Sequence, residues 1–198
     1  FFFAGLSIMS NLATHYSLYM LESLITSKTR IKLLLKFFLN SNTKAYLRGL
    51  EAEFGESTNA IRVELNRFEQ AGLLSSHSEG NRKFFTANTK HPLFPDIQSL
   101  MRKHLGIDQL LDHVIENLGG VKKVYLTGAF AHGMESTDIE ILLVGSDIDT
   151  SYLENIIAKA GTLIHRNILY QLVPPLPNGN DHAANNSENM LLLWEQNN

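Results

Sequence analysis

Apolar side chains recur at helical spacing through the first third of the chain. In residues 27–39 they follow the i, i+3, i+4, i+7 stripe of an amphipathic helix, at Ile31, Leu34, Leu35 and Phe38. A second helix is predicted over roughly residues 44–54. A third begins at Ser57 or Thr58 and is closed by Gly72, with an inner face of Ile61, Leu65 and Phe68. The pattern therefore predicts three successive helices.

A hairpin is predicted after the third helix. Residues 73–76 and 82–86 have the pattern of two strands, and Gly80 between them supplies the positive φ that a tight turn needs. Three helices followed by a hairpin is the element order of a winged helix-turn-helix. We therefore predict this fold for residues 25–92, preceded by an N-terminal extension over residues 1–24 to which we assign no function.

The next part of the chain has the pattern of connecting helices. Two amphipathic segments, residues 97–101 and 110–118, fall in a connecting region over residues 93–120. They are candidates for a homodimer interface, because a protein with two-fold symmetry suits an operator with two-fold symmetry.

Strands dominate the pattern from residue 121 onwards. Strands are predicted at residues 121–127, 139–144 and 167–173, and a helix runs from a capping box at Ser151 and Glu154 to Gly161. This order predicts a small α/β domain with a mixed sheet over residues 121–176. In the polar tail, residues 177–198, Met190 to Trp194 are predicted to form a short helix. The fold class is therefore α+β with two domains.

Charge is divided unevenly along the 198 residues, whose net charge is −3. Residues 27–90, which we call the head, carry eleven Lys and Arg against six acids, a net charge of +5. Residues 91–198, which we call the body, carry six basic and thirteen acidic residues, a net charge of −7. This asymmetry is expected when only one part of a protein meets a polyanion.

The composition and the start of the sequence bear on the cellular compartment. The chain contains no cysteine, which excludes disulfides and thiolate metal sites and fits a cytoplasmic location. The apolar run at the start has no preceding Lys or Arg, as a signal peptide would need, and is too short to span a bilayer. We therefore expect a cytoplasmic protein without membrane association.

The third helix has the two faces expected of a helix that reads the major groove. Such a helix buries one face and presents short polar and cationic side chains on the other, here Thr58, Asn59, Arg62 and Asn66. Arg62 can donate two bonds to guanine, either asparagine can pair with adenine, and the helix start at Ser57 and Thr58 suits a phosphate. In the hairpin, Arg82 and Lys83 are placed to meet the DNA backbone or minor groove. The alternative is a solvated helix beside an ordinary polar hairpin.

The segment from about Leu24 to Phe94 resembles winged-helix transcriptional regulators of the ArsR-like type, in the runs Gly55-Glu56-Ser57-Thr58-Asn59-Ala60-Ile61-Arg62, Gly72-Leu73-Leu74 and Glu79-Gly80-Asn81-Arg82-Lys83-Phe84. The resemblance implies a bacterial or archaeal transcription factor that binds double-stranded DNA, often as a dimer. Metal-sensing members use Cys or clustered His. The head has neither, so metal sensing does not carry over.

A second motif lies in the body, where Gly128 and Ala129 are followed by Ser136 and then by Asp138 and Glu140. A glycine turn lets backbone N–H groups approach phosphate oxygens, and carboxylates at i and i+2 of a strand point the same way to share Mg²⁺. The segment from Leu126 to Val144 resembles the minimal nucleotidyltransferase family. The resemblance implies candidate nucleotide contacts at Gly128, Ala129 and Ser136, candidate metal ligands at Asp138 and Glu140, and Mg²⁺ with a nucleoside triphosphate as cofactors.

Two departures from that family pattern weaken the case for catalysis. Ala129 stands where the family has Ser or Gly, and the strand over residues 167–173 lacks the third carboxylate. Our leading hypothesis is therefore a DNA-binding transcriptional regulator whose body is an inactive nucleotidyltransferase-like module for sensing or interaction. The alternative is an active Mg²⁺-dependent nucleotidyltransferase with a DNA-binding head. A third possibility is an antitoxin-like role, because minimal transferase domains resemble components of toxin–antitoxin pairs.

Overall fold

The computed structural model describes Leu21, residues 23–176 and residues 190–196. Most of the N-terminal extension and the polar segment over residues 177–189 lie outside the described residues. Within the described residues the protein is a mixed α+β structure with two sheets, which confirms the predicted α+β class. No described helix has both the length and the apolar character needed to cross a membrane.

The head contains three helical segments followed by a hairpin. Helix α1, Lys28–Leu34, starts at Ser27, whose side chain accepts a bond from the Arg30 backbone, and continues as a π-helical turn over Leu35–Leu39. The remaining elements are strand β1 (Ala45–Tyr46), helix α2 (Leu47–Phe54), helix α3 (Thr58–Gln70) and strands β2 (Leu74–Glu79) and β3 (Arg82–Ala87). The three strands form an antiparallel sheet in the order β1-β3-β2.

The turns of the head lie where the glycines predict them. Gly55 ends α2, Gly72 follows α3 and Gly80 lies in the β2–β3 turn, with φ values of 63°, 72° and 57°. Ser57 caps α3 by accepting a hydrogen bond from the Ala60 backbone. Helix α2 starts three residues later than predicted, because Ala45 and Tyr46 pair with β3 instead of joining the helix.

The body adds helices α4 (Phe94–Leu105) and α5 (Ile107–Asn117) and then a four-stranded sheet. Its remaining elements are β4 (Val121–Thr127), α6 (Gly128–Ala131), β5 (Asp138–Gly145), α7 (Thr150–Ile164), β6 (Asn167–Val173) and β7 (Leu191–Glu195). The strand order is β6-β5-β4-β7. Strands β5 and β6 are parallel and the other pairs are antiparallel, so the sheet is mixed as predicted.

The helix predicted over Met190 to Trp194 is wrong. Leu191–Glu195 forms strand β7, which pairs antiparallel with β4 so that Leu191 faces Leu126 and Glu195 faces Lys123. An apolar run this short has no period that distinguishes helix from strand. Without this strand β4 would be an edge of the sheet, and pairing with Leu191–Glu195 supplies hydrogen-bond partners to its backbone groups.

The predicted bounds of helix α7 are also wrong. Its cap is Asp149, whose carboxylate accepts bonds from the Ser151 and Tyr152 backbones, and not a capping box at Ser151. Gly161 does not end the helix. A Cβ at this position would lie 2.9 Å from the Arg166 carbonyl oxygen, so the glycine permits close packing, and the helix ends where His165 turns left-handed at φ 53°.

Head and body share one hydrophobic core and make specific polar contacts. One buried cluster contains residues of both, from Leu21 and from Ile31 in α1 to Leu193 in β7, and a second, small cluster on the body sheet consists of Tyr125, Leu142 and Val144. At the π-helical turn, Lys36 Nζ donates to the His132 carbonyl at 2.7 Å, and the buried Asn40 amide donates to the Ala131 carbonyl at 2.8 Å. The loop after α6 is therefore seated directly on the head.

Gly133 is the closest point of that contact and gives a test of it. Its φ is 68°, and a Cβ there would lie 2.5 Å from the Lys36 Cα. Gly133→Ala should lower the free energy of unfolding by about 3 kcal/mol, combining left-handed strain with steric overlap. Gly80→Ala is the matched control, because its φ is 57° with nothing within 4 Å, and should cost only about 1–2 kcal/mol. Equal losses in denaturant titrations would contradict the close packing.

Candidate nucleic-acid interface and the adjoining cleft

Helix α3 separates its apolar and polar side chains onto opposite faces. Ile61, Leu65 and Phe68 are buried, whereas the side chains of the opposite face are exposed at Asn59, Arg62 and Asn66. Thr58 is half-buried and Ser57 is exposed at the helix start. The residues that the sequence proposes for base contacts therefore lie together on one accessible surface.

A groove joins this surface to the hairpin. It has a volume of about 710 Å³ and is lined by α2, α3 and the β2–β3 turn, including Arg48, Arg62, Asn66, Asn81 and Arg82. The Arg82 guanidinium lies over the Tyr46 ring, 4.8 Å from the ring centroid, so its plane is held in the groove. Sequence reasoning did not assign Arg48 or Tyr46 to the site, because nothing in the pattern indicates that Arg48 of α2 and Tyr46 of β1 face the third helix and the hairpin.

Most of the acidic residues of the head form ion pairs. Five of its six carboxylates pair with nearby cations, as Glu53 with Lys36, Glu56 with Lys32, Glu64 with Arg30 and Arg67, Glu69 with Lys83, and Glu79 with Lys44. Among the described residues, Arg48, Arg62 and Arg82 make no ion pair. Five head cations make no ion pair with a described residue, and three of them line the groove, whereas Lys28 and Lys90 lie outside it.

Lys83 differs from Arg82 although the two are adjacent. Lys83 Nζ lies 2.7 Å from Glu69 Oε2 and 5.1 Å from the centroid of the Phe85 ring. Hydrogen bonds from Lys83 and Ser76 hold the pKa of Glu69 below its usual value, so this carboxylate stays ionised beside the lysine. The structure thus places both predicted hairpin cations on β3 but leaves only Arg82 without a carboxylate partner.

The buried Glu64 links α3 to α1. Its carboxylate accepts bonds from Arg30 Nε at 2.9 Å, Arg30 Nη2 at 3.1 Å and Arg67 Nη1 at 3.0 Å. Burial alone would raise the pKa of Glu64, but the Arg30 bonds and the charges of Arg30 and Arg67 outweigh it and hold the pKa below its usual value. We call these residues and Ser27 the Glu64 cluster.

The Glu64 cluster predicts a pH-dependent contribution to stability. Because the folded-state pKa of Glu64 is lowered, the contribution is present above the usual pKa of a glutamate and is lost as the pH falls through the lower folded-state value. Glu64→Gln should lower the free energy of unfolding by about 1–3 kcal/mol at pH 7 and by much less at pH 3. Denaturant titrations at both pH values measure this.

Glu51→Gln is the control for that comparison, because Glu51 makes no ion pair with a described residue. Its effect at pH 7 should stay within about 0.5 kcal/mol. A pH-independent loss in Glu64→Gln, or an equal loss in the control, would show that the Glu64 charge does not hold α3 in place.

The glycine turn of the body is filled by one of the proposed metal ligands. Gly128 has a φ of 64°, and a Cβ there would lie 2.1 Å from Glu140 Oε1, so the Glu140 carboxylate rests on the turn itself. Asp138 and Glu140 share one face of β5 because successive side chains of a strand alternate. The Asp138 backbone donates to Ser136 Oγ at 3.2 Å, and Asn167 Nδ2 donates to Asp138 Oδ1 at 3.2 Å.

Strand β6 supplies no acid beside this pair. Its parallel register sets Asn167 next to Asp138 and Leu169 next to Glu140. Across the residues that the structure describes, no group of three or more His, Cys, Asp or Glu could hold a metal ion. The structure adds no third carboxylate from β6 to Asp138 and Glu140. Their neighbours on that strand are the amide of Asn167 and the aliphatic side chain of Leu169.

A cleft of about 880 Å³ lies between head and body. Lys32, Glu53 and Phe54 line it from the head, and residues 133–138 and 165–167 line it from the body. Of the proposed nucleotide and metal residues, Ser136 and Asp138 line the cleft, whereas Gly128, Ala129 and Glu140 do not. The predicted nucleotide site is therefore split between the cleft and the glycine turn.

Arg166 is the cation that the body contributes to the cleft. Its Nη1 donates to the Ser136 carbonyl at 2.9 Å, and its guanidinium lies 5.3 Å from the centroid of the Phe130 ring. Burial lowers the pKa of Arg166, and the charge of Glu135 opposes this in part. The buried Nε has no hydrogen-bond partner among the described residues.

Comparison of the chain with protein-family models, curated proteins and solved structures finds no match.

Proposed function

We propose that this chain is a DNA-binding transcriptional regulator whose head is a winged helix-turn-helix. The observation that carries the proposal is the groove in which Arg48, Arg62 and Arg82 lie without a carboxylate partner beside the exposed polar face of α3. These three arginines are exposed to solvent and make no ion pair, so they are free to meet an anionic partner, and the phosphates of duplex DNA provide a regular array of anions.

In this proposal α3 enters the major groove and the β2–β3 hairpin is the wing. Asn59, Arg62 and Asn66 reach base edges, because they occupy the exposed side of a helix whose other side is buried. Ser57 and Thr58 at the helix start, together with Arg48 and Arg82, contact phosphates. Lys83 contributes less than Arg82, since Glu69 already neutralises it.

The proposed regulator is a homodimer that pairs through the connecting helices. Leu93 and Leu100, at the start of α4 and within it, are 54% and 38% exposed, and such apolar side chains suit a protein interface. Two copies related by two-fold symmetry would present two α3 helices to the two halves of an operator.

The body is, in this proposal, a nucleotidyltransferase-like module that serves in sensing or interaction and not in catalysis. In-line phosphoryl transfer uses two cations held by several carboxylates. Here Asn167 and Leu169 flank Asp138 and Glu140, and Glu140 fills the turn where a phosphate would approach Gly128.

Selection of binding sites from a random duplex library, followed by fluorescence anisotropy on the selected site, tests DNA binding. Affinity should fall steeply with salt, with a slope of log K against log [salt] of about −0.9 per neutralised phosphate. A library that yields no enriched site, or an affinity independent of salt, would refute the proposal.

Three single variants separate the roles of helix and hairpin. Arg62→Ala should cost about 1–3 kcal/mol on the selected site and relax the preference at one base pair. Arg82→Ala should weaken all sequences alike and reduce the salt slope by about 1. Lys83→Ala, the matched neighbour, should have a clearly smaller effect than Arg82→Ala. Identical behaviour of all three variants would refute the assignment.

Incubation with labelled nucleoside triphosphates and Mg²⁺ tests whether the body is an enzyme. We expect no label on the chain, on added proteins from the same cells or on small acceptors, because the carboxylate set is incomplete. Transfer that disappears in Asp138→Ala would establish the alternative, a Mg²⁺-dependent nucleotidyltransferase.

A further inference from the structure

The charged groups that line the cleft between head and body fall into two classes. Lys32 and Glu53 are already used, because Lys32 pairs with Glu56 and Glu53 pairs with Lys36. Arg166, Glu135 and Asp138 make no ion pair with any described residue. The cleft therefore contains one cation and two carboxylates that make no direct ion pair, although the charge of Glu135 acts on Arg166 from a distance.

The guanidinium of Arg166 is held in an orientation that suits an anionic ligand. Its guanidinium is held on one side by the Phe130 ring and by the bond from Nη1 to the Ser136 carbonyl, so its orientation is fixed before a ligand arrives. A cation removed from water without a counter-ion is unfavourable, and an anionic group in the cleft relieves that cost. Neither carboxylate of the cleft approaches the guanidinium within ion-pair distance.

The two carboxylates exclude a simple anion as the occupant. Asp138 is fixed by the bond from Asn167, and Glu135 is exposed beside it in sequence. A ligand with negative charge alone would be repelled by both, and a ligand with positive charge alone would leave Arg166 without an ion-pair partner. Apolar surface is also present, because Phe54 and Met134 line the same cleft.

We propose that the cleft binds a small zwitterion with an apolar side chain, of the type of a free amino acid or a dipeptide. Its carboxylate meets Arg166, its ammonium group meets Asp138 and Glu135, and its side chain packs on Phe54 and Met134. The volume of about 880 Å³ is in the range of small-molecule sites.

The cleft is connected through the chain to α3, the helix proposed to read DNA. Glu53 and Phe54 end helix α2 and line the cleft, and Ser57, which caps α3, follows three residues after Phe54. The regulatory meaning of the site therefore rests on the proposed function of the head, whereas ligand binding itself does not.

Isothermal titration of the full chain compares zwitterions with analogues that carry a single charge. The probes are L-leucine and L-leucyl-L-leucine, against 4-methylpentanoate, which lacks the amine, and 3-methylbutylamine, which lacks the carboxylate. At least one zwitterion should bind about tenfold more tightly than either analogue. The preference between the two zwitterions distinguishes a free amino acid from a dipeptide. Equal affinities for zwitterions and analogues, or no binding by any probe, would overturn the proposal.

Two variants locate that binding in the cleft. Asp138→Asn keeps the shape of the side chain and should weaken the zwitterion about tenfold while leaving 4-methylpentanoate unchanged or tighter. Arg166→Gln should weaken both ligands about tenfold, and Lys159→Gln, on the exposed surface of α7, should change neither. Unchanged zwitterion binding in Asp138→Asn would refute the proposal even if Arg166→Gln fails to fold.

DNA affinity of the same preparations keeps the two hypotheses apart. Chain that binds its selected DNA site but no zwitterion would overturn the ligand site alone. Chain that binds the zwitterion through Asp138 and Arg166 but no DNA would support the ligand site and refute the proposed function of the head.

Discussion

The distribution of ion pairs in the head is the constraint on which the account depends. The head has more cations than carboxylates, and five of its six carboxylates form ion pairs with nearby cations. The most buried of these carboxylates is that of Glu64, which lies between α3 and α1. Holding Glu64 ionised fixes α3 against α1 from the buried side. Arg62 on the exposed side of α3, Arg48 on α2 and Arg82 on β3 then keep no carboxylate partner, which gathers three unpaired cations in one groove.

The second constraint is the contact between head and body. The π-helical turn over Leu35–Leu39 seats the loop after α6 through Lys36 and Asn40, and a single core continues through both halves. π-helical turns are uncommon and are often found at functional sites. Here the turn lets the edge of the body meet the head closely, so a cleft forms between Phe54 and Arg166 whose walls come from both halves.

Much of the fold could be predicted from the sequence, because it depends on local signals. Ser57 and the glycines at 55, 72 and 80 fixed the helix ends and the hairpin through caps and positive φ values. β7 could not be predicted, since its conformation depends on the free edge of β4, which is distant in sequence. The position of Arg48 in the groove also depends on contacts between elements, so it is known only from the structure. The same holds for the proposed nucleotide residues, because the structure shows that the Glu140 carboxylate covers Gly128.

Arginine side-chain NMR on the labelled chain, with and without its selected duplex, tests the central claim most directly. The Nε–Hε signals of Arg48, Arg62 and Arg82 should shift on DNA binding, because phosphates and bases supply the anions and acceptors that these groups lack. The signals of Arg30 and Arg67 should stay in place, since Glu64 already holds both side chains. Shifts at Arg30 and Arg67 with unchanged signals from the groove would contradict the account.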